Sequence, residues 1–336
     1  MCRIKEKRRK ICKESLQETT TGRLHLGHYI GSLQNRVRLQ NEYDTFILLA
    51  DVQALTTHFK QPQLIADSIY QVAIDNLSAG LDPEKITLVQ QSQVGAIAEL
   101  TVLFSMLVSV NSLRHNPTIK TEAKQYGYDD LSYGFLGYPV SQTADLAFCG
   151  AELVPVGEDQ LPHMEAAHRI LRRFNDLYGE TFCIPQALLS NTARLPGVDG
   201  NAKMGKSLGN AIYLSDDAGT VAAKLRAART DTRRLAVTDP GDPEVCTVGA
   251  YHRAFAPEGY AEICENCRGG RIGCASCKKK LTEQLNALLE PVREKRAYYE
   301  AHREQVKELI AAGTARANAI GAETLTRVKT AMSVLL

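Results

Sequence analysis

Three stretches of this chain carry residue types and spacings that could do chemistry. Thr21 to Leu33 reads TGRLHLGHYIGSL, with His25 and His28 one helical turn apart and therefore on one face. A Thr-Gly turn leading into a helix N-terminus offers backbone N–H groups and the positive end of a dipole, so two imidazoles there suit a polyphosphate. The spacing is not that of a zinc protease, which needs HExxH. Ala202 to Asn210 reads AKMGKSLGN, where Lys203 and Lys206 flank Met204 and Gly205, and Ser207 follows. Two ammonium groups on a glycine-containing loop suit a mobile clamp on phosphates. The third stretch holds five of the nine cysteines: Cys246, Cys264, Cys267, Cys274 and Cys277. Four thiolates suit zinc or an iron–sulfur cluster, although the gap between Cys267 and Cys274 is shorter than common zinc spacings. Taken singly, an HxxH or a KxxK is ordinarily a pair of solvated side chains; their combination and order give them meaning.

The elements that must position these residues alternate. Thr45 to Ala50 (TFILLA) reads as a short buried parallel strand, Gln63 to Leu81 as an amphipathic helix, and Ile86 to Val89 as a second strand. Ala96 to Val110 reads as a buried helix. A helix at Val140 to Phe148, a strand at Glu152 to Val156 and a helix at Gln160 to Leu177 follow. This alternation predicts α/β architecture, a doubly wound Rossmann-type parallel sheet. From Ala218 the pattern is helical and charge-rich, ending in Arg316 to Leu336, which predicts a C-terminal helical domain. Glycine and proline clusters at Leu195 to Gly200 and Asp239 to Pro243 punctuate the junctions. The organisation expected is a basic segment over 1–20, a catalytic domain over 21–190, a lysine-loop region over 191–215 and a helical domain over 216–336. At +2 the net charge excludes a globally basic nucleic-acid binder, so any such surface is a local patch. The longest apolar run, Ala96 to Val110, is interrupted by Glu99 and too short to span a bilayer. Met1 to Lys10 is basic with no apolar core behind it, unlike a secretory signal, so a cytoplasmic protein with reduced or metal-bound cysteines is expected.

HLGH followed by KMGKS resembles the signature pair of the class I aminoacyl-tRNA synthetases. LADVQALT (Leu49 to Thr56), GYPVSQTADL (Gly137 to Leu146), VPVGEDQ (Val154 to Gln160), RRFN (Arg172 to Asn175), LPGVDG and YHRAF (Tyr251 to Phe255) resemble the tryptophanyl branch of that family, over roughly residues 20 to 335. The resemblance implies ATP-dependent activation of L-tryptophan with Mg²⁺ and transfer to tRNA(Trp), by a homodimer with no membrane or DNA partner. It implies that His25 and His28 hold ATP phosphates and that Lys203 and Lys206 stabilise departing pyrophosphate. Thr21, Gly22, Gly27, Gly157, Asp159, Met204 and Ser207 would line the ATP site. Tyr138, Gln142, Asp145, Val154, Val156 and Gln160 would line the amino-acid pocket, with Asp145 accepting the indole N–H. An indole is large and apolar with one donor, so apolar walls and one acceptor are what it needs. The resemblance also implies a [4Fe-4S] site on Cys246, Cys267, Cys274 and Cys277, with zinc the alternative, and a dimer insertion near 108–133.

Four departures stand out. Gly205 replaces the usual serine, Gln53 stands where ADxHA has histidine, and Gln142 replaces the methionine of some relatives. Lys5 to Thr20 (KEKRRKICKESLQETT) lacks the apolar strand that opens the family, so the first strand is expected to be missing or replaced. A tyrosyl-tRNA synthetase, a nucleotidylyltransferase sharing HxGH, and an inactive paralogue that senses tryptophan and ATP are the competing expectations.

Overall fold

The computed structural model describes residues 10–14 (backbone course), 23–157, 160–189, 195–201, 204–205 and 208–335. Strand β1 (Lys10–Glu14) comes first. Leu26–His28 (α1), a π-helical turn over Tyr29–Leu33, and Gln34–Leu39 (α2) make one continuous helical run. Then come β2 (Asp44–Leu49), α3 (Asp51–His58), α4 (Pro62–Ser78), β3 (Ile86–Gln90), α5 (Gly95–Ser105), α6 (Val110–Arg114) and α7 (Pro117–Tyr126). The first half closes with α8 (Tyr133–Ala147), β4 (Leu153–Val156), α9 (Leu161–Tyr178) and β5 (Gln186–Leu189). Beyond it stand α10 (Ala218–Ala227), α11 (Thr247–Phe255), α12 (Pro257–Arg268), α13 (Cys274–Ala301) and α14 (Arg303–Ala331).

The sheet is parallel throughout, in the order β3-β2-β1-β4-β5. Of the two alternatives expected for the first strand, missing or replaced, the structure excludes the first. KICKE lies at the centre of the sheet, in register with β2 from Lys10↔Asp44 to Glu14↔Leu48 and with β4 at Ile11↔Leu153. A ladder is built from backbone N–H and C=O groups, which every one of these residues supplies, so a charged segment can occupy a slot that its neighbours define on both sides. The strand order reverses beside β1, where β1 continues leftward to β2 and rightward to β4. Ligands of such sheets bind at that switch, beyond the carboxyl ends of the strands.

A correction concerns Ala96 to Val110. The run breaks after Ser105, and α6 restarts behind the Ser109 side chain, which accepts the Ser112 N–H at 3.2 Å. Met106 is 67% exposed and Val110 54%, so this end of the run is not buried.

The main core joins the sheet to α5, α8 and α9. A second core gathers Leu24, Leu26 and Leu33 with Met204, Ile212, Leu214 and the α13 residues Leu281, Leu285 and Leu289. The last helix returns to the sheet. Thr314 Oγ1 on α14 accepts the Gln90 N–H at 3.0 Å, and a Cβ at Gly313 would fall 2.0 Å from the Leu88 carbonyl oxygen. Only glycine lets α14 lie this close to the edge strand β3, whose unpaired backbone it covers. Among the described residues no helix is long and apolar enough to cross a membrane.

Candidate active site

His25 and His28 stand at the start of α1, both buried, with ring centroids 3.8 Å apart. Nδ1 of His25 accepts the Gly27 N–H at 3.1 Å, and Nδ1 of His28 accepts the His25 N–H at 3.1 Å. Each imidazole thus spends one nitrogen capping its own helix, and as a neutral ring each carries its proton on Nε2. The expected anion site is therefore partly self-occupied: the Gly27 N–H that a phosphate would take is bonded to His25. Gly27 is held to glycine by the same arrangement, since a Cβ there would lie 2.9 Å from His25 Cε1.

The lysine loop approaches this corner. Met204 is buried in the core that holds Leu24 and Leu26, and its Sδ lies 3.8 Å from where a Gly27 Cβ would stand. Beyond the loop the chain pairs with the histidine segment: Leu26 N–H donates to the Ile212 carbonyl at 2.9 Å, Leu214 N–H donates to the Leu24 carbonyl at 2.9 Å, and His25 forms a bridge with Tyr213. Gly205 N–H donates to Asn210 Oδ1 at 2.9 Å, and Asn210 Nδ2 donates to Asp199 Oδ1 at 2.9 Å. Lys203, Lys206, Ser207, Thr21, Gly22 and Asp159 lie outside the described residues. Among the described residues a side chain at Gly205 would meet only Leu208, at 3.5 Å, and the backbone does not need glycine. Gly205→Ser is therefore expected to fold normally and to keep or raise the rate of adenylate formation, by restricting the loop. A slower Gly205→Ser enzyme in single-turnover assays would show that this loop needs its extra freedom.

The amino-acid pocket residues fall on α8 and β4. Asp145 is fully buried, and both its carboxylate oxygens accept from Gln91 Nε2 at 2.9 Å. Gln91 Oε1 in turn accepts the Gln53 N–H at 3.0 Å. Gln91, just after the carboxyl end of the edge strand β3, was not foreseen from the sequence, because no motif marks it. Gln53, the departure from histidine, is buried beside it, and its Oε1 has no hydrogen-bond partner. Tyr138 donates from its hydroxyl to Glu122 Oε2 at 2.8 Å and lies 3.0 Å from His163 Nε2. Val154 and Val156 are buried on β4. Gly157 follows at that strand's end and accepts the Gln160 N–H at 3.0 Å. Gln142 lies on α8 between Tyr138 and Asp145. Of the pocket candidates, Tyr138, Gln142 and Asp145 lie along α8, and Val154 and Val156 on β4.

The sequence profile of the tRNA synthetases class I (W and Y) matches residues 18–290. The chain belongs to that family. It is 45% identical to the tryptophan–tRNA ligase of Streptococcus mutans, over 94% of this chain and 96% of that one. With the tryptophan–tRNA ligase of Treponema pallidum it shares 43%, over 94% of each. The fold is similar to that of tryptophanyl-tRNA synthetase from Campylobacter jejuni complexed with ADP and tryptophan, with a TM-score of 0.85 and 28% identity over 96% of this chain and 99% of that one.

Far from this corner, the cysteines gather where three helices meet. Cys246 caps α11, Cys267 lies in the last turn of α12, and Cys274 and Cys277 lie in the first turn of α13. Burial, and then the neighbouring Cys246, Cys267 and Cys274, push the Cys277 thiol up to about 12. Arg234 Nη1 stands 4.0 Å from Cys267 Sγ and 3.9 Å from Cys274 Sγ. Cys264 is buried against Tyr260 instead. Gly270 turns the intervening loop with φ +64°, and its missing Cβ admits the Thr238 carbonyl. His252 Nε2 lies 3.4 Å from Cys277 Sγ, a neighbour that the spacing of the cysteines did not reveal. Among the described residues no group of three or more His, Cys, Asp or Glu closes tightly enough to hold a single metal ion.

Proposed function

We infer that the chain is a tryptophan–tRNA ligase: it activates L-tryptophan with ATP and transfers it to tRNA(Trp). The observation that carries this reading is the junction of the histidine segment with the lysine-loop exit, a backbone pairing that fixes both signatures around one corner of the sheet. Tryptophan is favoured over tyrosine by relatives such as those above, which are tryptophan–tRNA ligases at 43–46% identity. No enzyme nucleophile is needed. The tryptophan carboxylate attacks the α-phosphorus of ATP in line, the bond to pyrophosphate breaks, and the protein positions reactants and stabilises charge. Nε2–H of His25 and of His28 donate to the phosphates, and Lys203 and Lys206 draw in from the loop. Mg²⁺, when bound to the polyphosphate, neutralises part of its charge. Asp145 accepts the indole N–H, with Gln91 holding its carboxylate in place. ATP–pyrophosphate exchange with each amino acid tests the reading: tryptophan alone is expected to support it, and exchange with tyrosine alone would overturn it.

Residues 216–336 supply the anticodon-reading surface in this reading, with the basic run Arg268, Arg271, Lys278, Lys279 and Lys280 beside the cysteines as its phosphate contacts. A [4Fe-4S] cluster on Cys246, Cys267, Cys274 and Cys277 fits the gathering of these four thiols and the diversion of Cys264 to Tyr260. Zinc is the alternative, although the gap between Cys267 and Cys274 is shorter than common zinc spacings. Anaerobically purified protein is expected to be brown, absorbing at roughly 400 nm. Cys267→Ser is expected to bleach it and weaken charging while sparing exchange. Colourless protein with stoichiometric zinc would refute the iron assignment.

The chain functions as a homodimer through the segment around α6 and α7. The apolar side chains of Val102, Met106, Val110 and Tyr133 are all more than half exposed there, which suits a partner surface. Light scattering at micromolar concentration is expected to give twice the chain mass, and a monomer mass would sink the dimer.

A further inference from the structure

Two arginines of α13 reach both signature segments. Arg296 pairs with Asp75 of α4, at side-chain exposures of 5% and 1%. The other oxygen of that carboxylate, Oδ2, accepts the N–H of Leu24, the residue before His25, at 2.6 Å. One helical turn earlier, Arg293 Nε donates to the carbonyl of Asp216 at 2.9 Å. The Asp216 carboxylate accepts the N–H of Tyr213 at 2.9 Å. Lys224 braces the same oxygen at 2.5 Å. Leu24 and Tyr213 lie in the two backbone segments that pair with each other, so one helix face holds both sides of the junction.

We propose that Arg293 and Arg296 are positioning residues for adenylate formation, setting the separation of the histidine segment and the lysine-loop exit from one face of α13. The proposal rests on the ATP-dependent reading of the site. Its physical basis is leverage. Each arginine acts through a single aspartate on one backbone N–H, and Lys224 also holds Asp216. A buried ion pair adds little net stability against its desolvation cost, so its value here lies in the geometry it imposes. Small displacements of groups that must meet reacting phosphates lower the rate steeply.

The test uses the full-length protein. Arg293→Met keeps the aliphatic stem and removes the donors; Arg293→Lys keeps one donor. Arg293→Met is expected to lower kcat of tryptophan-dependent exchange about ten-fold or more, with KM for tryptophan within about two-fold of wild type. Amide hydrogen exchange at Tyr213 is expected to speed up about ten-fold, and Arg293→Lys to restore most of both effects. Arg296→Met is expected to do the same at Leu24, with Arg296→Lys the rescuing variant, and this pair carries the test if Arg293→Met does not fold. Unchanged kcat with unchanged amide protection would overturn the proposal. So would kcat and KM changing in proportion with a lowered Tm and no rescue by lysine. If the wild-type protein activates no amino acid, the functional reading fails on its own, and protection at Leu24 and Tyr213 still decides whether the arginines hold these segments.

Discussion

Lys206→Ala is expected to slow formation of tryptophanyl-adenylate by about 10²- to 10³-fold while leaving tryptophan affinity nearly unchanged. Negative charge on pyrophosphate grows only as its bond to the α-phosphorus breaks. An ammonium group that reaches it then lowers the barrier without adding to substrate binding. The described residues around Lys206 are held in place: Met204 is buried against the histidine segment, and Gly205 is tied through Asn210 to Asp199. Lys203→Ala is expected to act in the same direction, and the two losses to be less than additive, because both charges serve one leaving group. Single-turnover kinetics with equilibrium binding of tryptophan separates the outcomes. A raised Kd for tryptophan with an intact chemical step would place Lys206 in substrate binding instead.

Asp145→Ala is expected to weaken tryptophan binding by about 1–3 kcal/mol, or about 5- to 150-fold. Two losses combine. The indole N–H enters a buried site without its acceptor, and Gln91 Nε2, which now bonds both carboxylate oxygens, loses its partner as well. Gln91→Ala is expected to give a smaller loss in the same direction, since it leaves the acceptor but frees its orientation and that of the Gln53 backbone N–H. Tryptophan affinity unchanged in Asp145→Ala would remove this carboxylate from the pocket and turn attention to the neighbouring Tyr138–His163 pair.

By itself the sequence determined the α/β class, the helical second half, the two signature segments and the crowding of cysteines. Each of these is carried by local spacing: apolar runs of strand length, helical periodicity, and short motifs whose residue types have few other uses. Strand β2 follows from TFILLA. What depends on distant segments only the tertiary structure decided. KICKE shows no apolar pattern, yet it is the central strand, because β2 and β4 present ladders on both sides of one slot. Gln91 has no motif, yet it meets Asp145 across 54 residues of chain. The histidines read as a phosphate cradle, yet their Nδ1 atoms cap their own helix, since a chain entering a three-residue helix must satisfy its first N–H groups locally. Cys264 and Cys267 look equivalent by spacing, yet adjacent turns of α12 send one to Tyr260 and the other toward Cys274. Arg296 reads as one basic residue on a charged helix. Its pairing with Asp75, 221 residues away, emerges only once α13 packs on α4 and excludes the water that would otherwise solvate both charges.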